Sequence, residues 1–205
     1  YIDITIHQGG GMLRFFSNRE LSAGLSIPLA KWKRWSREFL PPDPLGGLRS
    51  GVTRQFSVDE AIIVFLGGHL VAELKTSVPD ARQILQDLTP CLRNIGLFAN
   101  SRVHERFSAG LTNPISSYSI FIYRDLSEPG LAARFTYTLR GQISRTPQDH
   151  GGRAINLERY IEERIPLSAP SLPNQLSSRT LHISAIADFF VNALGLDKGH
   201  FAILG

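Results

Sequence analysis

Four cations fall within seven residues: Lys31, Lys33, Arg34 and Arg37. Trp32 and Trp35 are threaded between them, and from Ser26 onward no carboxylate appears before Glu38. Such a set makes no bonds. Its chemistry is the holding of a polyanion, with ammonium and guanidinium groups against phosphates. On a helix, Ile27, Trp32, Trp35 and Phe39 follow apolar spacing, and the cations lie mostly off that stripe. The tryptophans are therefore expected to pack inward rather than to stack on bases, and the cations to face out. The plain alternative is a basic, solvated helix face.

Other reactive residue types are scattered. The six histidines, His7, His69, His104, His150, His182 and His200, stand singly. No HxxxH, HExxH or CxxC spacing exists, so neither a zinc site nor any other cofactor site is expected. Asp149-His150 could act as an acid/base pair, but a polar loop accounts for it as well. The one cysteine, Cys91, sits beside Pro90 in an apolar stretch and reads as core. No phosphate loop or nucleophile elbow is present, so no catalytic residues are assigned and the chain is not expected to be an enzyme.

The totals agree with a globular protein. The chain has 205 residues, 42% hydrophobic and 20% charged, with a net charge of +4. That excess is mild and matters only where it is focused. A single cysteine forbids an internal disulfide and suggests a reducing, cytoplasmic setting. No apolar run approaches the ~18 residues a membrane span needs, so no membrane partner is expected. Residues 1–15 read as a leader. Within it, 1–11 suit either a strand, "YIDITIH", with a glycine linker, or a non-native remnant before Met12, the only methionine.

Positioning elements can be read around the cationic stretch. Ser17 stands three before Glu20 and Ser57 three before Glu60, the spacing of a capping box. Ser77 stands three before Asp80, with Pro79 at an early helical position where its missing N–H does no harm. Thr89-Pro90 is expected to start a further short helix. A short helix over about 18–23, a turn at Gly24-Leu25-Ser26 and a second helix over about 27–38 make a helix-turn-helix pattern. The segment 40–57, rich in proline and glycine, fits a turn or small hairpin. A helix after Ser57 is expected to weaken and bend at Gly67-Gly68, since each glycine costs roughly 1 kcal/mol against alanine.

Residues 16–88 resemble the winged helix-turn-helix domain of MerR-type regulators. The corresponding residues are Phe16-Ser17, Leu21-Ser22, Leu25-Ser26-Ile27 and Trp32-Lys33-Arg34-Trp35. Arg37-Glu38-Phe39-Leu40-Pro41-Pro42 follows, and Arg54-Gln55-Phe56-Ser57 ends the wing. A last helix pair is joined by Leu74–Val78. Three residue sets depart from the family pattern: Phe39 replaces a usual Gly, Phe56 replaces a usual Tyr, and Gly67-Gly68 falls in a helix that is normally continuous. The resemblance implies a double-stranded-DNA-binding transcription regulator. Its second helix would enter the major groove with Lys31, Lys33, Arg34 and Arg37, and Arg49 and Arg54 of the wing would hold the flanking backbone. Arginine suits guanine because its fork is bidentate, while lysine more often holds phosphate. MerR-type dimers use a long coiled coil after this domain. Here Pro90 interrupts Leu88, Leu92 and Ile95, so a homodimer would need another surface.

Beyond about residue 100 the texture changes. Residues 116–125 and 133–144 alternate as strands of a hairpin, with Tyr118, Phe121, Tyr123, Phe135 and Tyr137 as its aromatics. "PQDHGG", 147–152, reads as a loop. Residues 155–165, with Leu157, Tyr160, Ile161 and Ile165, read as an amphipathic helix. Pro166, Pro170 and Pro173 mark a linker, and 181–195 reads as a helix closed by Gly195. The expected fold class is α+β: a winged helix-turn-helix domain over 16–99, then an α+β unit over 100–205 for sensing or assembly. No small-molecule effector can be identified. Two other readings stay open. One is a winged-helix module for protein docking, recombination or partition. The other is a ligand-binding or catalytic α+β protein with a pocket between 118 and 165.

Overall fold

The computed structural model describes residues 14–43, 53–98, 115–125, 134–150, 153–165 and 178–204. The fold mixes helix and strand. Strand β1 (Phe15–Ser17) leads into helices α1 (Asn18–Gly24) and α2 (Leu29–Phe39). Strand β2 (Gln55–Ser57) leads into α3 (Val58–Ala72), followed by α4 (Val78–Asn94). Arg49 and half of the expected wing lie outside the described residues, as do residues 1–13 and the three linker prolines. Among the described residues no helix is long and apolar enough to cross a membrane.

The three serine-capped helix starts are present. The Ser17 Oγ accepts from the Glu20 amide at 3.3 Å, and the Glu20 carboxylate accepts from the Ser17 amide at 2.6 Å. These bonds hold the Glu20 carboxyl below its ordinary range. Ser57 and Glu60 repeat the arrangement at 3.2 and 3.0 Å. The Ser77 Oγ accepts from the Asp80 amide at 3.2 Å. The first two starts share a longer pattern, Arg-x-Phe-Ser-x-x-Glu, at 14–20 and 54–60. Strands β1 and β2 pair antiparallel with Phe16 opposite Phe56, so the two starts stand back to back. In both, the arginine lies over its own phenylalanine ring, at 4.8 Å for Arg14 and 5.3 Å for Arg54.

Helix α3 is not interrupted at its glycines. It runs unbroken from Val58 to Ala72 with Gly67 and Gly68 buried. The reason lies on α2. A Cβ on Gly67 would stand 2.5 Å from the Phe39 ring, and one on Gly68 would fall inside the Trp35 ring's contact surface. Two aromatic side chains thus rest directly on the α3 backbone. Their packing offsets the ~1 kcal/mol that each glycine costs a helix. Pro90 does not start a new helix either, because α4 continues through it to Asn94. Gln86 and Pro90 are both exposed, so water can take the carbonyl that proline leaves unpaired.

Four antiparallel strands follow: β3 (Ser117–Asp125), β4 (Arg134–His150), β5 (Arg153–Ile165) and β6 (Ser178–Leu181), in the order β5-β4-β3-β6. The β3–β4 hairpin matches the alternation in the sequence. Two expectations fail here. Residues 155–165 are strand rather than helix, and Pro147–His150 extend β4 instead of forming a loop. Pairing with β4 overrides the local pattern, since it sets Ile161 against Gly141 and Ile165 against Tyr137. It also places Arg140 opposite Glu162, where the two form an ion pair at 2.6 Å. Among the described residues only β5 lies beside β4 at that end, an edge position that tolerates Pro147.

One face of the sheet carries buried Tyr118, Ile120, Ile122, Tyr137 and Leu139. Helix α5 (Ile183–Leu194) covers it and ends at Gly195, whose φ of 58° suits a left-handed cap. Two short 3-10 turns, Lys198–His200 and Ala202–Leu204, complete the chain. Buried side chains before residue 99 and after residue 115 belong to one contiguous cluster. Phe190 of α5 packs on Phe65 of α3 at 5.8 Å and on Phe201 at 6.2 Å. Gly24 of α1 lies so close to α5 that a Cβ there would stand 2.7 Å from Leu194.

A polar bond also ties α4 to the sheet. The buried Tyr137 hydroxyl donates to the Asp87 carboxylate at 2.6 Å. Burial, with that carboxylate beside it, holds the phenol far above its ordinary range. Burial likewise pushes the Tyr118 phenol up to about 12. Tyr137→Phe is expected to lower unfolding free energy by about 1.5 kcal/mol, typical of a hydrogen bond to a charged group. Urea denaturation measures this. A loss below ~0.5 kcal/mol would show that the bond adds little to stability.

Candidate nucleic-acid interface

The turn before α2 is fixed locally. The Ile27 amide donates to the Ser22 carbonyl at 3.0 Å, and the Ser22 Oγ donates to the Ile27 carbonyl at 2.7 Å. Ser26 takes the left-handed region, φ 55°, which turns the chain sharply into the next helix. Trp32, Trp35 and Ser36 are the buried side of α2, as the spacing predicts for the tryptophans. Trp32 meets Phe56 edge-on at 5.9 Å. Each ring buries roughly 150–250 Å², worth on the order of 4–6 kcal/mol in transfer free energy. That anchoring fixes the rotation of α2, and so fixes which residues it shows to solvent. After Phe39 the chain turns extended at Leu40, ahead of Pro41-Pro42.

Lys31, Lys33, Arg34 and Arg37 are all exposed. They are not equivalent. At about 100° of rotation per residue, Lys33, Arg34 and Arg37 fall within an arc of about 100° directly away from the tryptophans. Lys31 falls about 60° beyond Arg34, and its ammonium stands over the Trp35 ring at 4.8 Å. Among the described residues none of the four has an ion pair. The one carboxylate of α2, Glu38, is taken up by Arg82 of α4, whose Nε also donates to the Glu38 carbonyl at 2.7 Å. The exposed face of α2 is thus positive without internal compensation.

Arg54 sits differently from those four. Its guanidinium donates to the Pro41 carbonyl at 2.9 Å and to Glu60 at 3.0 Å, and only 16% of its side chain is exposed. It fastens the two ends of the segment 41–54 to the start of α3, and its donors are turned inward. Sequence reading could not see this, because its partners lie six and thirteen residues away.

Two further groups, His69 and Phe189, line a cleft beside α2. His69 on α3 is half-buried; burial lowers its pKa, and Glu73 partly opposes this. Phe189 on α5 is 51% exposed. The adjacent pair Phe189-Phe190 was a signal for it, since consecutive helical residues point about 100° apart and one core face seldom takes both. Among the described residues no group of His, Cys, Asp and Glu could hold a metal ion. The arrangement on α2 is suited to electrostatic contact with a regular array of anions. No protein-family model matches this chain, and neither does any curated protein or solved structure.

Proposed function

We propose that this chain is a transcription regulator that binds double-stranded DNA through a winged helix-turn-helix of the MerR type. Helix α2 enters the major groove. The observation that carries this reading is the division of α2 into a buried tryptophan side and an opposite side bearing Lys33, Arg34 and Arg37, which have no ion pairs among the described residues. The short turn before α2 and the back-to-back strands β1 and β2 support it, since they fix how α2 projects. Lys33, Arg34 and Arg37 make the groove contacts, and Lys31 stands at the edge of that face.

Selection from random duplexes, followed by fluorescence anisotropy at moderate salt, tests the reading. Arg34→Ala with Arg37→Ala is expected to weaken binding to the selected site roughly tenfold or more. Where both hold phosphate, the slope of log K against log salt should fall by about 2. Both residues are exposed and have no ion pairs among the described residues, so the fold should survive the change. Unchanged affinity in the double variant would remove α2 from the interface. Binding without sequence preference would instead favour an accessory role in recombination or partition.

A further inference from the structure

Between the start of α2, the second half of α3 and helix α5 lies a cleft of about 600 Å³. That is the size of a small-molecule site, ~300–1,000 Å³. Its walls are mostly apolar and include Trp35, Phe65, Ile186 and Phe189. Phe65 and Phe189 stack with centroids 5.8 Å apart and planes at 15°. Helix α5 therefore holds a large ring half in solvent at the edge of this cleft, where a flat ligand can cover it.

The polar lining narrows the class of ligand. Lys31 and Glu73 are its fixed charges. Glu73 acts electrostatically on His69, and burial favours the neutral imidazole there. Lys31 has no carboxylate partner among the described residues, and its ammonium is held at the cleft wall by the Trp35 ring. An unpaired cation beside stacked aromatic surface complements an aromatic ring that carries an anionic group.

We propose that this cleft is a binding site for a small aromatic anion, whose ring covers Phe189 and whose charge meets Lys31. A consequence for regulation rests on the DNA-binding reading above. Lys31 borders the DNA face of α2, so an anion in the cleft and a phosphate on that face would compete for one ammonium. Ligand and DNA would then oppose each other, by the same factor in both directions.

The full chain, free of DNA, is titrated with 1-anilinonaphthalene-8-sulfonate and with N-phenyl-1-naphthylamine, which has the same rings without the sulfonate. The expected result is one sulfonate dye per chain, quenching of tryptophan emission by transfer from Trp35, and at least tenfold weaker binding of the neutral dye. Lys31→Met should weaken the sulfonate about tenfold and leave the neutral dye unchanged. Ala185→Phe, at an exposed lining position, should block both dyes while the circular dichroism stays native. Absent binding overturns the proposal. So does equal affinity for the two dyes, indifference to Lys31→Met, or full binding to folded Ala185→Phe. Should Ala185→Phe fail to fold, the exposed Lys31→Met still decides. In a separate arm, saturating sulfonate dye should weaken DNA binding severalfold in the native chain and not in Lys31→Met. Dye binding in a chain that never binds DNA would sink the regulator reading and leave the cleft assignment standing.

Discussion

Replacing Gly67 and Gly68 together with alanine is expected to lower unfolding free energy by up to about 4 kcal/mol, although alanine is the better helix former by ~1 kcal/mol at each position. The sign is the content of this prediction. If α3 were simply a helix carrying two glycines, the double variant would gain about 2 kcal/mol. But the new methyl groups would enter space already filled by the Phe39 and Trp35 rings. The Trp35 ring is buried and the Phe39 ring packs against the core, so a methyl beneath either must displace it, and overpacking of that kind costs about 1–3 kcal/mol per site. A double-mutant cycle makes the cause specific. Combining Gly68→Ala with Trp35→Leu should show a favourable coupling of about 1 kcal/mol or more, since the shorter side chain leaves room for the methyl. Circular dichroism in urea measures all four proteins. A stabilised double alanine variant would refute the ring-on-backbone packing.

Phe190→Ala is expected to cost about 3–5 kcal/mol, the usual range for removing a fully buried aromatic side chain. Its ring meets Phe65 on α3 and Phe201 near the chain's end, so one substitution empties space shared by both halves. The more telling readout is cooperativity. Both tryptophans lie on α2, away from Phe190 in sequence, and report on the N-terminal half. With a shared core, tryptophan fluorescence and far-ultraviolet circular dichroism should shift together to lower urea, as one transition. A tryptophan transition that stays in place while the dichroism splits in two would show that the halves unfold independently.

What the sequence made legible was local. The serine caps at 17, 57 and 77 depend on partners three residues away, so their spacing alone announces them. The tryptophan stripe of α2 and the alternation in β3 are likewise properties of a single element. What stayed illegible has a distant partner. Residues 155–165 carry a pattern that fits helix or strand, and pairing with β4 decides between them. Gly67-Gly68 reads as a weakness until α2 is laid against it. The cationic set reads as one group, but rotation along α2 and the Trp35 ring beneath its ammonium separate Lys31 from Lys33, Arg34 and Arg37, and the cleft beside α5 gives Lys31 different surroundings. Arg54 reads as a wing contact because the Pro41 carbonyl that engages it is invisible from its own neighbourhood.

The twin Arg-x-Phe-Ser-x-x-Glu starts bear on the order in which the chain assembles. Each cap closes over three residues, and the turn into α4 is short, so these contacts can form as soon as the chain collapses. The pairing of Phe16 with Phe56 joins residues forty apart. Its loop-closure cost, which grows as about 1.5RT ln n, must be met before its few hydrogen bonds repay it. The caps of α1 and α3 can therefore close locally, while the helices, 7 and 15 residues long, draw their stability from packing. The six-residue sheet is what sets them back to back, and with it α2 acquires a fixed direction in which to point.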